Sequence, residues 1–183
     1  FDGDGRGEMV AMIYGGGAYG ATSFFEEDEA FAVFTTSRLF IPWEIGDFDL
    51  DGTTDLLAVD ARRVRVLEPS TTGAYPDRVS WEVRDVWGGE VADLDGDARP
   101  EMILRSATGS LFRVFETDGD DSYVETAVLV NETPGENEMG DRQSVGDLDG
   151  DGAGEWISGD SDGDLIAFES VGDNAYRVIW TDR

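Results

Sequence analysis

One nine-residue acidic pattern recurs along this chain and limits what the chain can fold into. It reads DFDLDGTTD at 47–55, DLDGDARPE at 93–101 and DLDGDGAGE at 147–155. A fourth copy, FDGDGRGE at 1–8, enters at the second position and lacks the leading acid. The third-position aspartates are residues 2, 49, 95 and 149, at intervals of 47, 46 and 54. The complete copies carry acids at positions one, three, five and nine. Position six is glycine in all copies but the one with Ala98.

The sequence between the copies reads as short strands. After each acidic segment comes an apolar run: Met9–Tyr14, Leu56–Val59, Met102–Leu104 and Trp156–Ile157. A turn of glycine and small polar residues follows, then an alternating segment at Arg63–Leu67, Leu111–Phe115 and Leu165–Phe168. A third strand is expected at Arg78–Arg84 and, aligned with it, Arg177–Arg183. A fourth short strand at Ile41–Ile45, Val91–Ala92 and Ser144–Val145 leads into the next acidic segment. No long helix is expected. A period of about 45–50 residues with four antiparallel strands is the size of one β-propeller blade. The expectation is therefore all-β: one partial propeller over residues 1–183, with repeats at 1–46, 47–92, 93–146 and 147–183, the last incomplete. Residue 1 falls inside an acidic loop, which points to a fragment of a larger ring.

Carboxylates at this density suit a hard cation, and Ca²⁺ takes six to eight oxygen ligands. In a tightly wound loop, alternate side chains turn inward, the carbonyl at position seven adds an oxygen, and glycine at position six allows the sharp turn. The predicted ligands are Asp47, Asp49, Asp51 and Asp55 with the Thr53 carbonyl; Asp93, Asp95, Asp97 and Glu101 with that of Arg99; and Asp147, Asp149, Asp151 and Glu155 with that of Ala153. The cut copy offers Asp2, Asp4, Glu8 and the Arg6 carbonyl, a weaker set without its first acid. Ala98 at position six is expected to strain the third site. The metal is expected to tie the strand entering each loop to the strand leaving it, at a junction between blades. An EF-hand would need a bidentate Glu at position twelve and flanking helices. Position twelve is Ala58, Leu104 or Ser158, and the flanks read as strand. Acidic surface turns without metal are the plain alternative, which a single copy would favour and four copies at blade spacing do not.

Composition removes most other chemistry. The chain has no Cys and no His, and all 13 of its basic residues are Arg. Disulfides, thiolate metal sites, thiol nucleophiles and imidazole bases are excluded. A net charge of −28 repels nucleic acid and anionic lipid. Outside the loops two plain readings, a solubility device and an adaptation to salt, compete with a functional one, the attraction of cations. No apolar run approaches the ~18 residues of a membrane span. Trp81 and Trp180 read as packing between blades, Trp156 as packing within one, and Trp43 and Trp87 precede loops. The acidic runs Glu26–Glu29 and Asp118–Asp121 read as solvated hairpin tips.

The segments Gly46–Asp55 and Gly146–Glu155 resemble the FG-GAP/VCBS repeats of integrin α-subunits and of many secreted bacterial proteins. The likeness covers all four copies. The Phe-Gly and Gly-Ala-Pro elements of integrins have only Gly17-Ala18-Tyr19 as a counterpart, so the bacterial branch fits better. The resemblance implies a seven- or eight-bladed extracellular or cell-surface propeller with Ca²⁺ in its blade loops. It does not select a function. The leading expectation is a calcium-stabilised binding or adhesion module without its own catalysis, with a protein or glycan ligand on a propeller face. The alternatives are a propeller domain of a polysaccharide lyase or glycosidase, and a structural subunit of an extracellular filament or surface layer.

Overall fold

The computed structural model describes residues 4–12, 22–26, 32–37, 40–60, 62–71, 73–140 and 143–182. Among them are 15 strands and no helix. The strands are β1 (Glu8–Met12), β2 (Thr22–Glu26), β3 (Ala32–Ser37), β4 (Ile41–Gly46), β5 (Asp55–Asp60), β6 (Arg63–Pro69), β7 (Pro76–Arg84), β8 (Val86–Ala92), β9 (Glu101–Ser106), β10 (Leu111–Gly119), β11 (Ser122–Val130), β12 (Ser144–Gly146), β13 (Glu155–Gly159), β14 (Leu165–Gly172) and β15 (Ala175–Asp182). They form four meandering sheets in chain order: β1–β3, β4–β7, β8–β11 and β12–β15. The pairings are antiparallel. The fold is all-β, as expected.

The frame of the repeat differs from the expected one. The strand before each acidic loop pairs with the strand after it: Gly46 opposite Asp55, Ala92 opposite Glu101, Gly146 opposite Glu155. Each complete loop is thus the first hairpin of a sheet, not the chain connection from one sheet to the next. The reason is local. A loop wound on its own carboxylates reverses the chain, so its flanking strands emerge side by side. The sheets accordingly span Ile41–Arg84, Val86–Val130 and Ser144–Asp182, and the last has four strands.

Burial follows strand position. The second strand of a sheet is covered on both faces, as in β5 and β9, and the fourth is the most exposed. The third strand alternates at its start before burying a continuous run, as in β6 and β10. A β-bulge recurs in the pairing of third and fourth strands, at Val114/Phe115 and Ala167/Phe168, and between β2 and β3 at Phe24/Phe25. Bulges sharpen twist.

The chain divides into two compact units: Phe1–Asp47 with Asp51–Val83, and Phe48–Leu50 with Arg84–Arg183. In the first, Phe24, Leu56, Ala58, Leu67 and Tyr75 form the core, with Phe24 edge-on to Tyr75 at 5.2 Å. In the second, the sheets β8–β11 and β12–β15 pack through Ile103, Phe112, Trp156, Ile166 and Phe168, joined by Leu94 and Met139. Trp156 stacks on Phe168 at 4.8 Å and is met edge-on by Phe112 at 6.5 Å. Trp156 is fully buried, as its expected role requires. Trp180 is 44% exposed on the outer strand, so it does not pack as the sequence suggests.

Candidate metal centre

Within the second unit the two complete loops have one construction. Position one receives two backbone N–H groups: Asp93 from Gly96 at 2.8 Å and Ala98 at 3.0 Å, and Asp147 from Gly150 at 2.7 Å and Gly152 at 3.1 Å. Position three accepts from position five, Asp97 to Asp95 at 3.2 Å and Asp151 to Asp149 at 3.1 Å. Position five accepts from position seven, with Arg99 and Ala153 each donating at 2.8 Å. Position nine reaches back across the loop. Leu94 N–H donates to Glu101 Oε2 at 2.7 Å and Leu148 N–H to Glu155 Oε2 at 2.5 Å. These short-range bonds follow from aspartate's habit of capping backbone N–H groups close in sequence.

Such winding needs left-handed backbone at two places. Position six is at φ 93° in Gly152 and φ 72° in Ala98, so the alanine carries the expected strain. Position four is also left-handed, at φ 79° in Gly96 and φ 83° in Gly150. That second requirement was not foreseen, although the glycines at position four signal it.

The result is convergence. The carboxylate oxygens of Asp93, Asp95, Asp97 and Glu101 lie within 4.8 Å of one another, and so do those of Asp147, Asp149, Asp151 and Glu155. Glu101 and Glu155 are completely buried, and Oε1 of each is enclosed without a hydrogen-bond partner. A buried carboxylate oxygen with no donor is costly. Burial, with Asp95 and Asp93 adding repulsion against the pull of the Leu94 N–H, raises Glu101 from 4.5 to about 8. Basic residues offer little relief. Arg99 approaches Asp97 at 3.9 Å, and among the described residues no arginine pairs with Asp147, Asp149, Asp151 or Glu155. The arginines serve the sheets instead, as in Arg65 with Glu82 at 2.9 Å and Arg177 with Glu169 at 2.7 Å. A cation coordinated by oxygen fits both loops, because it would give the orphaned Oε1 a partner and offset the crowded charge.

The other copies agree as far as they are described. In the first unit, Asp47 accepts from Gly52 at 3.0 Å and Asp51 from Thr53 at 2.6 Å. Gly52 is at φ 89°, and Asp55 is fully buried. Asp49 belongs to the second unit, where it accepts the Asp121 N–H at 2.8 Å. In the first copy, Asp4 accepts from Arg6 at 2.8 Å and Gly5 is at φ 87°, while Arg6 also pairs with Glu26. Glu8 opens β1. Asp2 lies outside the described residues, as do residues 27–29 of the first acidic run.

The second acidic run is a hairpin tip, as expected, with β10 ending at Gly119 and β11 starting at Ser122. It is not merely solvated, since Asp121 holds Asp49. Asn174 occupies the matching place after β14 and donates its N–H to Asp95 at 2.8 Å. The sequence reading missed both. Their one signal is residue type, because Asp and Asn tolerate the left-handed backbone of such tips. No family model and no curated protein matches this chain.

Proposed function

We propose that the loops Asp47–Asp55, Asp93–Glu101 and Asp147–Glu155 bind Ca²⁺ as structural staples, and that the chain is part of a calcium-stabilised β-propeller serving as a binding or adhesion module. The observation that carries the metal reading is the buried Oε1 of Glu155, without a hydrogen-bond partner and set among three aspartates that no arginine among the described residues neutralises. The side chains would be the main ligands, with the carbonyls of Thr53, Arg99 and Ala153 as the backbone contribution. Four successive meanders on one repeat, together with the resemblance of the loops to FG-GAP/VCBS repeats, support a propeller arrangement. A binding role rather than catalysis is supported by the absence of His, Cys and Lys and by the commitment of the acid clusters to the loops. Loops of this kind bind with dissociation constants up to about 10⁻⁴–10⁻³ M in extracellular modules, which supports a location outside the cell, where calcium is plentiful. The partner would be a protein or glycan on a loop-lined face. Isothermal calorimetry tests the metal reading. Ca²⁺ should bind at two or more sites, and absence of heat at millimolar Ca²⁺ removes the staple. A glycan array tests the partner.

A further inference from the structure

The turn Asp173–Asn174 joins β14 to β15, yet the Asn174 N–H is given to the acidic loop of the sheet before it. Asn174 sits at φ 51°, and its N–H meets Asp95 Oδ2 at 2.8 Å. The Asn174 side-chain Nδ2 donates to Glu116 Oε2 at 2.6 Å. The other oxygen of Glu116 accepts from Arg99 Nη1 at 3.2 Å, and Arg99 is position seven of that same loop. A second link lies alongside. Gly154 N–H donates to the Leu94 carbonyl at 3.0 Å, and Leu94 N–H donates to Glu101. A Cβ at residue 154 would stand 2.6 Å from the Leu94 oxygen, so the approach depends on glycine. Tyr176 anchors the turn in the core, edge-on to Trp156 at 5.2 Å.

The joint occurs twice. Asp121, at φ 60° in the tip after β10, donates its N–H to Asp49 Oδ2 at 2.8 Å. In both cases, within the second unit, a third-position aspartate receives the N–H of a left-handed tip residue. The loop itself uses the other oxygen of Asp95, which accepts from Asp97. One oxygen is thus held from inside the loop and one from the neighbouring sheet, so the carboxylate has little freedom left to lose when a cation binds.

We propose that the metal centre at Asp93–Glu101 is completed by the following sheet, with Asn174 as a positioning residue for Asp95, so that cation occupancy and docking of the sheet β12–β15 reinforce each other. This rests on the calcium reading given above. Coupling of this kind is reciprocal: whatever the turn adds to calcium affinity, calcium adds to the docking.

The test follows the Gly96 and Gly150 amide resonances of the whole chain by NMR during a Ca²⁺ titration, which reads the two loops separately. Asn174→Ala removes the side-chain donor and disfavours the left-handed turn. It should weaken binding at Gly96 by about three- to tenfold, the scale of one or two hydrogen bonds, and leave Gly150 unchanged. Asn174→Gly keeps the backbone N–H and the left-handed turn, and should recover part of the loss. Equal affinity at Gly96 in Asn174→Ala and the unaltered chain overturns the coupling, as does equal weakening at both loops. If neither resonance moves in the unaltered chain, the calcium reading itself fails.

Discussion

Ala98 holds the sixth position of its loop at φ 72°, where a Cβ crowds the backbone. Ala98→Gly should raise stability by about 1 kcal/mol and tighten Ca²⁺ at this loop while leaving Asp147–Glu155 unaffected. Thermal melts with and without Ca²⁺ would show it. Glu101 gives a pH dependence to the metal-free protein. Its carboxyl titrates near 4.5 when unfolded and at about 8 in the folded chain, so between those values the native state holds more protons. Its contribution is therefore fully present at low pH and is lost as pH rises toward 8. In chelator, raising the pH from 5.5 to 8 should lower the melting temperature. Glu101→Gln, which carries no titrating proton, should flatten that slope and also abolish Ca²⁺ binding at its loop. A slope identical in the variant would remove Glu101 as its source.

At the scale of elements, close backbone approach sets the tolerance of the fold. A Cβ on Gly89 would lie 1.7 Å from the Ile103 carbonyl oxygen, beside the irregularity where β8 pairs with β9. Gly89→Ala should destabilise the chain by about 2–3 kcal/mol, the cost of overpacking a rigid neighbour, as read from urea unfolding. The hairpin tips give a contrast between two aspartates at the same loop position. Asp49 accepts the Asp121 N–H from the tip after β10, whereas the bond that Asp149 accepts lies within its own loop. Both Asp49→Ala and Asp149→Ala should abolish calcium binding at their loops. In chelator, Asp49→Ala should cost about 1 kcal/mol more than Asp149→Ala, because the Asp121 N–H it leaves without an acceptor is partly buried, whereas the Asp151 N–H left by Asp149→Ala is exposed to water. Equal chelated stabilities would show that this hydrogen bond contributes nothing.

For the whole molecule, charge decides how metal and salt act. Of the 41 acids, Asp2, Asp4, Glu8 and four in each complete loop occupy ligand positions. Four Ca²⁺ would move the net charge only from −28 to −20, so the metal acts locally and most repulsion is left to ions in solution. Chelation should lower the melting temperature at low and high salt alike, and NaCl should restore only part of the loss. A melting temperature indifferent to chelator at both salts would make the loops decorative turns.

The all-β class, most strands (though not β2, β3 and β11) and the acids that converge in the loops could be read from the sequence. Each depends on relations within a few residues: alternation along a strand, aspartates spaced to cap nearby N–H groups, glycine where the backbone turns left-handed. The left-handed fourth position was equally local and was overlooked, with Gly96 and Gly150 as its signal. Tertiary structure decided what depends on which strand lies beside which. It made each complete loop the first hairpin of its sheet, buried Glu101 and Glu155 while leaving Trp180 exposed, and brought Asn174 to Asp95 across 79 residues of chain. No spacing in the sequence encodes that last contact. It exists because two sheets pack through Phe112, Trp156 and Phe168, and that packing carries a hairpin tip onto a neighbour's loop.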